Sequence, residues 1–163
     1  LIKIENTSYI EIQSRQEYID FLITRVIENI NNTMQTIDEF NMEQSSGNIG
    51  ISGVSIFGFG INISIDEAIR NALIHGNGRD VNKRIFLSYT ISPTKLEVSI
   101  EDQGDGFDVH QIVASLKNAE NPQTGGRGIL LMKNFMDKVI FNKKGNKVTL
   151  IKFRAKKGDN SLL

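Results

Sequence analysis

Glu67, Asn71 and His75 stand at i, i+4 and i+8 in the run Ile65 to Gly76. At 100° per residue they stack in one row, while Ile65, Ala68, Ile69, Ala72 and Leu73 make a separate apolar stripe. Such a row presents a proton acceptor, a neutral oxygen donor and an imidazole to one ligand. A solvated polar face would look the same, and Ser64-X-X-Glu67 also fits a capping box. A second group is Asp102-Gln103-Gly104-Asp105-Gly106-Phe107. Alternate glycines after a carboxylate let the backbone take positive φ and let a ligand lie against bare main chain, although a plain turn has the same composition. A third is Gly125-Gly126-Arg127-Gly128, which opens onto Ile129-Leu130-Leu131-Met132. Amides at such a helix start point towards an anion, and the arginine adds a fixed positive charge or is a plain surface residue. No Gly-X4-Gly-Lys-Ser/Thr run and no dinucleotide-binding pattern occurs in the chain.

These groups need elements to hold them. Residues 2–12 alternate loosely and predict a strand, after which Ser14-X-X-Glu17 reads as a capping box for a helix reaching about residue 38. Its apolar positions run from Ile19 to Ile37 at spacings of three and four, leaving Arg15, Glu28 and Asn32 outside. Asn41 to Asn48 is polar and turn-like. Gly47 to Gly60 mixes glycine with Ile49, Ile51, Val54, Ile56, Phe57 and Phe59, and reads as irregular strand or flap. Gly76 and Gly78, with Asn77 between them, stop the Glu67 helix. Arg84 to Ile91 and Lys95 to Asp102 alternate cleanly around Ser92-Pro93-Thr94, which predicts a hairpin. Residues 108–116 suggest a short helix, and Lys117 to Gly125 a mobile polar lid. A helix over about residues 129–136 and a hairpin of residues 139–142 and 147–153, turned by residues 143–146, complete the order. The tail after Ala155 is polar and expected to fray. Helices with antiparallel hairpins and no βαβ alternation predict an α+β fold, a two-layer sandwich with helices packed on one face of a mixed, mostly antiparallel sheet, in a single domain of residues 1–163.

Composition narrows the function. The 163 residues suffice for one core, burying on the order of 70% of the unfolded surface. The chain has no cysteine and two histidines, which excludes disulfides and thiolate metal sites and argues against structural zinc. Nineteen basic residues balance nineteen acidic ones, so no net field attracts nucleic acid or an anionic membrane. No apolar run of about 18 residues and no secretory leader is visible. A cytoplasmic location is the expectation. The chain opens at Leu1, which points to a missing initiator or upstream segment.

The three groups, in this order, resemble the motif set of the GHKL ATPases, the superfamily of gyrase-type, chaperone, histidine kinase and mismatch-repair ATP-binding domains. Glu67-X3-Asn71 resembles the asparagine box, Asp102-X-Gly104-X-Gly106 the first glycine box and Gly126-Arg127-Gly128 the second. The chain is most similar to bacterial anti-sigma factor serine kinases, whose boxes read much like Glu-Ala-X2-Asn-Ala-X2-His-Gly and Gly-X-Arg-Gly-Ile-X-Leu-Met. The resemblance covers roughly residues 60–153; the apolar, glycine-rich segment before it departs from the shorter, more polar connection of those kinases.

The resemblance implies a histidine-kinase-like ATPase fold with ATP and Mg2+ as cofactors. In it Asp102 accepts a hydrogen bond from the adenine amino group, which guanine lacks; Asn71 gives its oxygen to magnesium. His75, Gly104, Gly106, Thr124, Gly126, Gly128 and Thr149 join the nucleotide site, Thr149 as a late threonine near the adenine. Arg127 faces the terminal phosphate, and Glu67 acts as general base. The activity implied is that of an ATP-dependent protein serine/threonine kinase of the anti-sigma regulatory type, which phosphorylates a small antagonist protein and switches partners. A sigma factor and a homodimer are further candidate partners. Two rivals stand beside it: a non-catalytic nucleotide-responsive binding module, and the ATP-binding domain of a sensor histidine kinase. Residues 1–66 contain no histidine, so for the latter the phospho-acceptor helix would have to lie on a missing or separate segment.

Overall fold

The computed structural model describes residues 6–43, 54–109 and 127–153. Five strands form one sheet: β1 (Asn6–Gln13), β2 (Arg84–Ile91), β3 (Lys95–Asp102), β4 (Lys138–Phe141) and β5 (Lys147–Phe153). Their spatial order is β1-β2-β3-β5-β4, and all four neighbouring pairs are antiparallel. Among the described residues three helices pack on one face: α1 (Gln16–Glu43), α2 (Val54–Asn71) and α3 (Arg127–Phe135). The α+β sandwich expected from the sequence is therefore the observed one. The helical layer exists because alternation gives the sheet one apolar face: Ile85, Leu87, Tyr89 and Ile91 of β2 and Leu96, Val98 and Ile100 of β3 are buried. Against it lie Ile19, Val26 and Ile30 of α1, Ile65 and Ile69 of α2, and Ile129 and Met132 of α3. Tyr89 adds a polar tie, its hydroxyl donating to Asn29 Oδ1 of α1 at 3.0 Å.

Four local expectations are corrected. Residues 54–60 are not strand or flap but the first turns of α2. Each helical glycine there costs about 1 kcal/mol relative to alanine, yet Gly60 has a packing reason, since a Cβ on it would stand 2.5 Å from Phe135 Cδ1. The missing side chain lets α3 approach α2. Residues 47–53 of that segment lie outside the described residues. Ser64 is likewise no cap: it is wholly buried in mid-helix, and its hydroxyl donates to the Gly60 carbonyl at 2.8 Å. Ser14 does not cap α1 as expected. The Arg15 carbonyl accepts the Tyr18 and Ile19 amides at the helix start, and the buried Ser14 hydroxyl accepts a bond from Asn77 instead. Helix α1 also runs to Glu43, beyond the end at residue 38 that its apolar spacing suggests.

The polypeptide leaves α2 through a π-helical turn, Ala72–Gly76, closed by the Asn77 amide on the Ala72 carbonyl at 2.8 Å. Gly78 and Arg79 then adopt left-handed φ values of 62° and 60° and turn the chain towards β2. Single π turns inside or at the end of α-helices often mark functional sites. This one carries His75.

Candidate functional site

A cavity of about 410 Å³ opens between α2, α3 and the end of the sheet at β3 and β5, within the range of small-molecule sites. Its wall brings together Glu67, Asn71 and His75 from the end of α2, Asp102 and Gly106 from the end of β3, and Arg127 and Gly128 from the start of α3. Ile100, Phe107, Met132, Phe141 and Val148 supply apolar surface. The arrangement is an apolar slot with polar groups at defined points.

Glu67 and Asn71 keep α-helical spacing, and the Asn71 Nδ2 donates to Glu67 Oε1 at 3.1 Å. That bond turns the amide nitrogen to the carboxylate and leaves Oδ1 as the acceptor end of Asn71. The widened π turn takes His75 out of the strict i+8 register, but it remains on the cavity wall and exposed. Gly128 lies so close to Glu67 that a Cβ there would collide with Glu67 Oε1. The bare main chain at the start of α3 thus meets the carboxylate of α2. A ligand anion at that helix start would sit beside a carboxylate, an amide and the Arg127 guanidinium.

Asp102 ends β3 half-buried. Its Oδ1 accepts the Gly104 amide at 2.8 Å, and its carboxylate lies against Gly76, where any Cβ would overlap it. Burial pushes the Asp102 carboxyl above the usual aspartate range, opposed by the Gly104 N–H and by the Lys144 and Lys83 ammonium groups. Gly104 is buried behind the wall: a Cβ on it would strike the Gly76 carbonyl. Gly106, with φ 76°, packs on the Lys144 carbonyl, and Gly145, with φ 81°, packs on Phe107. The two glycines let the chain leaving β3 cross the β4–β5 turn in close contact. Phe107 and Phe141 meet edge to face there, their ring centroids 5.4 Å apart.

Thr149 does not join these residues. Val148 and Leu150 face the helices, so Thr149 faces the opposite side of the sheet, where its hydroxyl pairs with that of Ser99 at 2.8 Å. The alternation of β5 itself keeps Thr149 off the cavity wall. Thr124, Gly126, most of the expected helix at 108–116 and the expected lid at 117–125 lie outside the described residues.

Two asparagines that the sequence places only in turns organise the rim. Asn146 accepts the Asp102 amide on its main-chain oxygen at 2.9 Å and donates from Nδ2 to the Asp102 carbonyl at 2.7 Å. Asn77, also buried, bonds to the amide of Gln103. Each sits beside a glycine and reads as ordinary turn composition, so no periodic signal distinguishes it. Among the described residues no cluster of three or more His, Cys, Asp or Glu side chains could hold a metal by itself. No helix there is long and apolar enough to cross a membrane.

Residues 30–152 match the family model described as the histidine kinase-like ATPase domain. The chain is 30% identical over 95 residues to the anti-sigma F factor of Geobacillus sp. (strain WCH70), covering 53% of this chain and 61% of that protein. It is 30% identical over 100 residues to the serine-protein kinase RsbW of Bacillus subtilis (strain 168), covering 57% of this chain and 62% of that protein. With the serine-protein kinase RsbW of Listeria monocytogenes serovar 1/2a it shares 29% identity over 123 residues, 67% of this chain and 78% of that protein. The match thus spans about three fifths of the length of the first two relatives.

Proposed function

This chain belongs to the histidine kinase-like ATPase family, and on that premise we propose that it is an ATP-dependent protein serine/threonine kinase of the anti-sigma regulatory type. The observation that carries the reading is the convergence of Glu67, Asn71, Asp102, Gly106, Arg127 and Gly128, from three separate segments, on one cavity. Relatives named as an anti-sigma factor and as serine-protein kinases support the choice within the family.

In this reading the apolar slot beside Phe107 and Met132 takes the adenine. The Asp102 carboxylate, acceptor-only when ionised, receives its exocyclic amine; guanine offers a carbonyl at that position and is refused. The phosphates run towards the start of α3, where main-chain amides and Arg127 meet their charge. Asn71 Oδ1 would hold a magnesium ion bound with the triphosphate, the Asn71 amide nitrogen being turned to Glu67. One or two side chains plus phosphates are the usual support for that ion, which supplies charge neutralisation. Glu67 takes the proton of the attacking serine or threonine hydroxyl. The hydroxyl oxygen bonds to the terminal phosphorus as the bond to the β-phosphate oxygen breaks, and ADP leaves. The phosphoryl acceptor would be a small antagonist protein, whose phosphorylation changes which partner the kinase holds.

Capture with the tagged chain in Mg-ATP, followed by mass spectrometry of the retained protein, tests this. The expected result is a retained partner bearing phosphoserine or phosphothreonine with the wild type. Glu67→Gln should retain the same partner and leave it unmodified, with phosphotransfer down about 10²- to 10⁴-fold at near-normal nucleotide affinity. A partner left unmodified by the wild type would make the chain a binding module.

A further inference from the structure

We propose that Asn77 is a positioning residue that aims the Asp102 carboxylate for recognition of the base, an inference that rests on the adenine reading of the cavity. Asn77 is only 2% exposed and is not on the cavity wall. Its amide is fully engaged. Nδ2 donates to Ser14 Oγ at 2.6 Å and to the Arg84 carbonyl at 2.8 Å, and Oδ1 accepts the Gln103 N–H at 2.8 Å. Its own N–H closes the π turn on Ala72. One side chain therefore joins the end of α2, the turn before α1, the start of β2 and the peptide that follows Asp102.

That last contact matters for the site. The Asp102 main chain is gripped on one side by Asn146, at both its N–H and its carbonyl. Asn77 grips the N–H of the same peptide whose carbonyl Asn146 holds. Gln103 adds a second tie, its Oε1 accepting the Arg84 N–H at 2.7 Å. Between these clamps the carboxylate has one oxygen fixed by the Gly104 amide and Gly76 pressed against it. A helix stop alone would need only the left-handed turn at Gly78 and Arg79. A buried amide with every polar atom satisfied costs desolvation and returns a fixed geometry. Here the geometry returned is the register between the α2 end, which carries Asn71 and His75, and the carboxylate of β3. Recognition by a single charged hydrogen bond is lost when the acceptor is about 1 Å out of place.

The test compares calorimetric affinities for ATP and for the purine ribonucleoside triphosphate that lacks the 6-amino group. The wild type should prefer ATP by about ten- to a hundredfold, and Asp102→Asn should lose that preference. Asn77→Ala should also lose most of it while its affinity for the 6-unsubstituted nucleotide stays within a few-fold of wild type. Ser14→Ala removes a bond on the far side of Asn77 and should keep the preference. Asn77→Ser, which retains a hydroxyl but shortens the reach to Gln103, is read the same way should Asn77→Ala not fold. No preference in the wild type overturns the adenine reading itself. A preference lost in Asp102→Asn but kept in both Asn77 variants leaves that reading standing and overturns the positioning role.

Discussion

At the scale of single residues, Asp102 carries opposing demands of stability and binding. Because burial raises its pKa, the folded chain holds the Asp102 proton more tightly than the unfolded chain does. Stability therefore falls as pH rises from the ordinary aspartate value through the raised one, and the whole cost is present above that window. Asp102→Asn removes the buried charge while keeping an oxygen for the Gly104 amide. Its urea midpoint at pH 7 should exceed that of the wild type, and the two should converge as pH falls below the ordinary aspartate value. Equal midpoints at pH 7 would contradict this. The roles proposed here for Glu67, Asn71, Asp102 and the glycines began as a sequence resemblance, and the fold brings those within the described residues to one place, Gly104 just behind the wall. Thr149 lies off the cavity because a resemblance in chain order ignores the pleat. Asn77 and Asn146 were illegible for another reason: a turn asparagine and a clamping asparagine differ only in what lies across from them.

At the scale of elements, β2, β3 and β5 could be read directly because each alternates with period two against one buried face. The start of α2 could not, since glycine in a sequence reads as a breaker. A glycine under a neighbouring ring is a packing device, and the ring, Phe135, lies some 75 residues further on. Gly60→Ala tests that account. The added methyl gains up to about 1 kcal/mol of helix propensity but must displace Phe135, and overpacking of this kind costs about 1–3 kcal/mol. The variant should be destabilised in urea, and adding Phe135→Ala should relieve part of the loss in a double-mutant cycle. A more stable Gly60→Ala, or strict additivity, would remove the close approach of α3 to α2 from the explanation. That approach also matters to the site, because the same two helices bring Gly128 against Glu67.

At the scale of the whole molecule, one helical layer on one sheet face leaves a cavity where α2, α3 and the end of β3 converge, and the family match places that architecture among histidine kinase-like ATPases. The balanced charge, nineteen of each sign, leaves recognition to local groups and not to a global field. The central claim is that the cavity selects adenine nucleotides through Asp102. Calorimetric titration of the wild-type chain with Mg-ATP and with Mg-GTP tests it most directly. The account predicts ATP binding at least about tenfold tighter than GTP; equal affinity for the two nucleotides, or no binding of either, would contradict it.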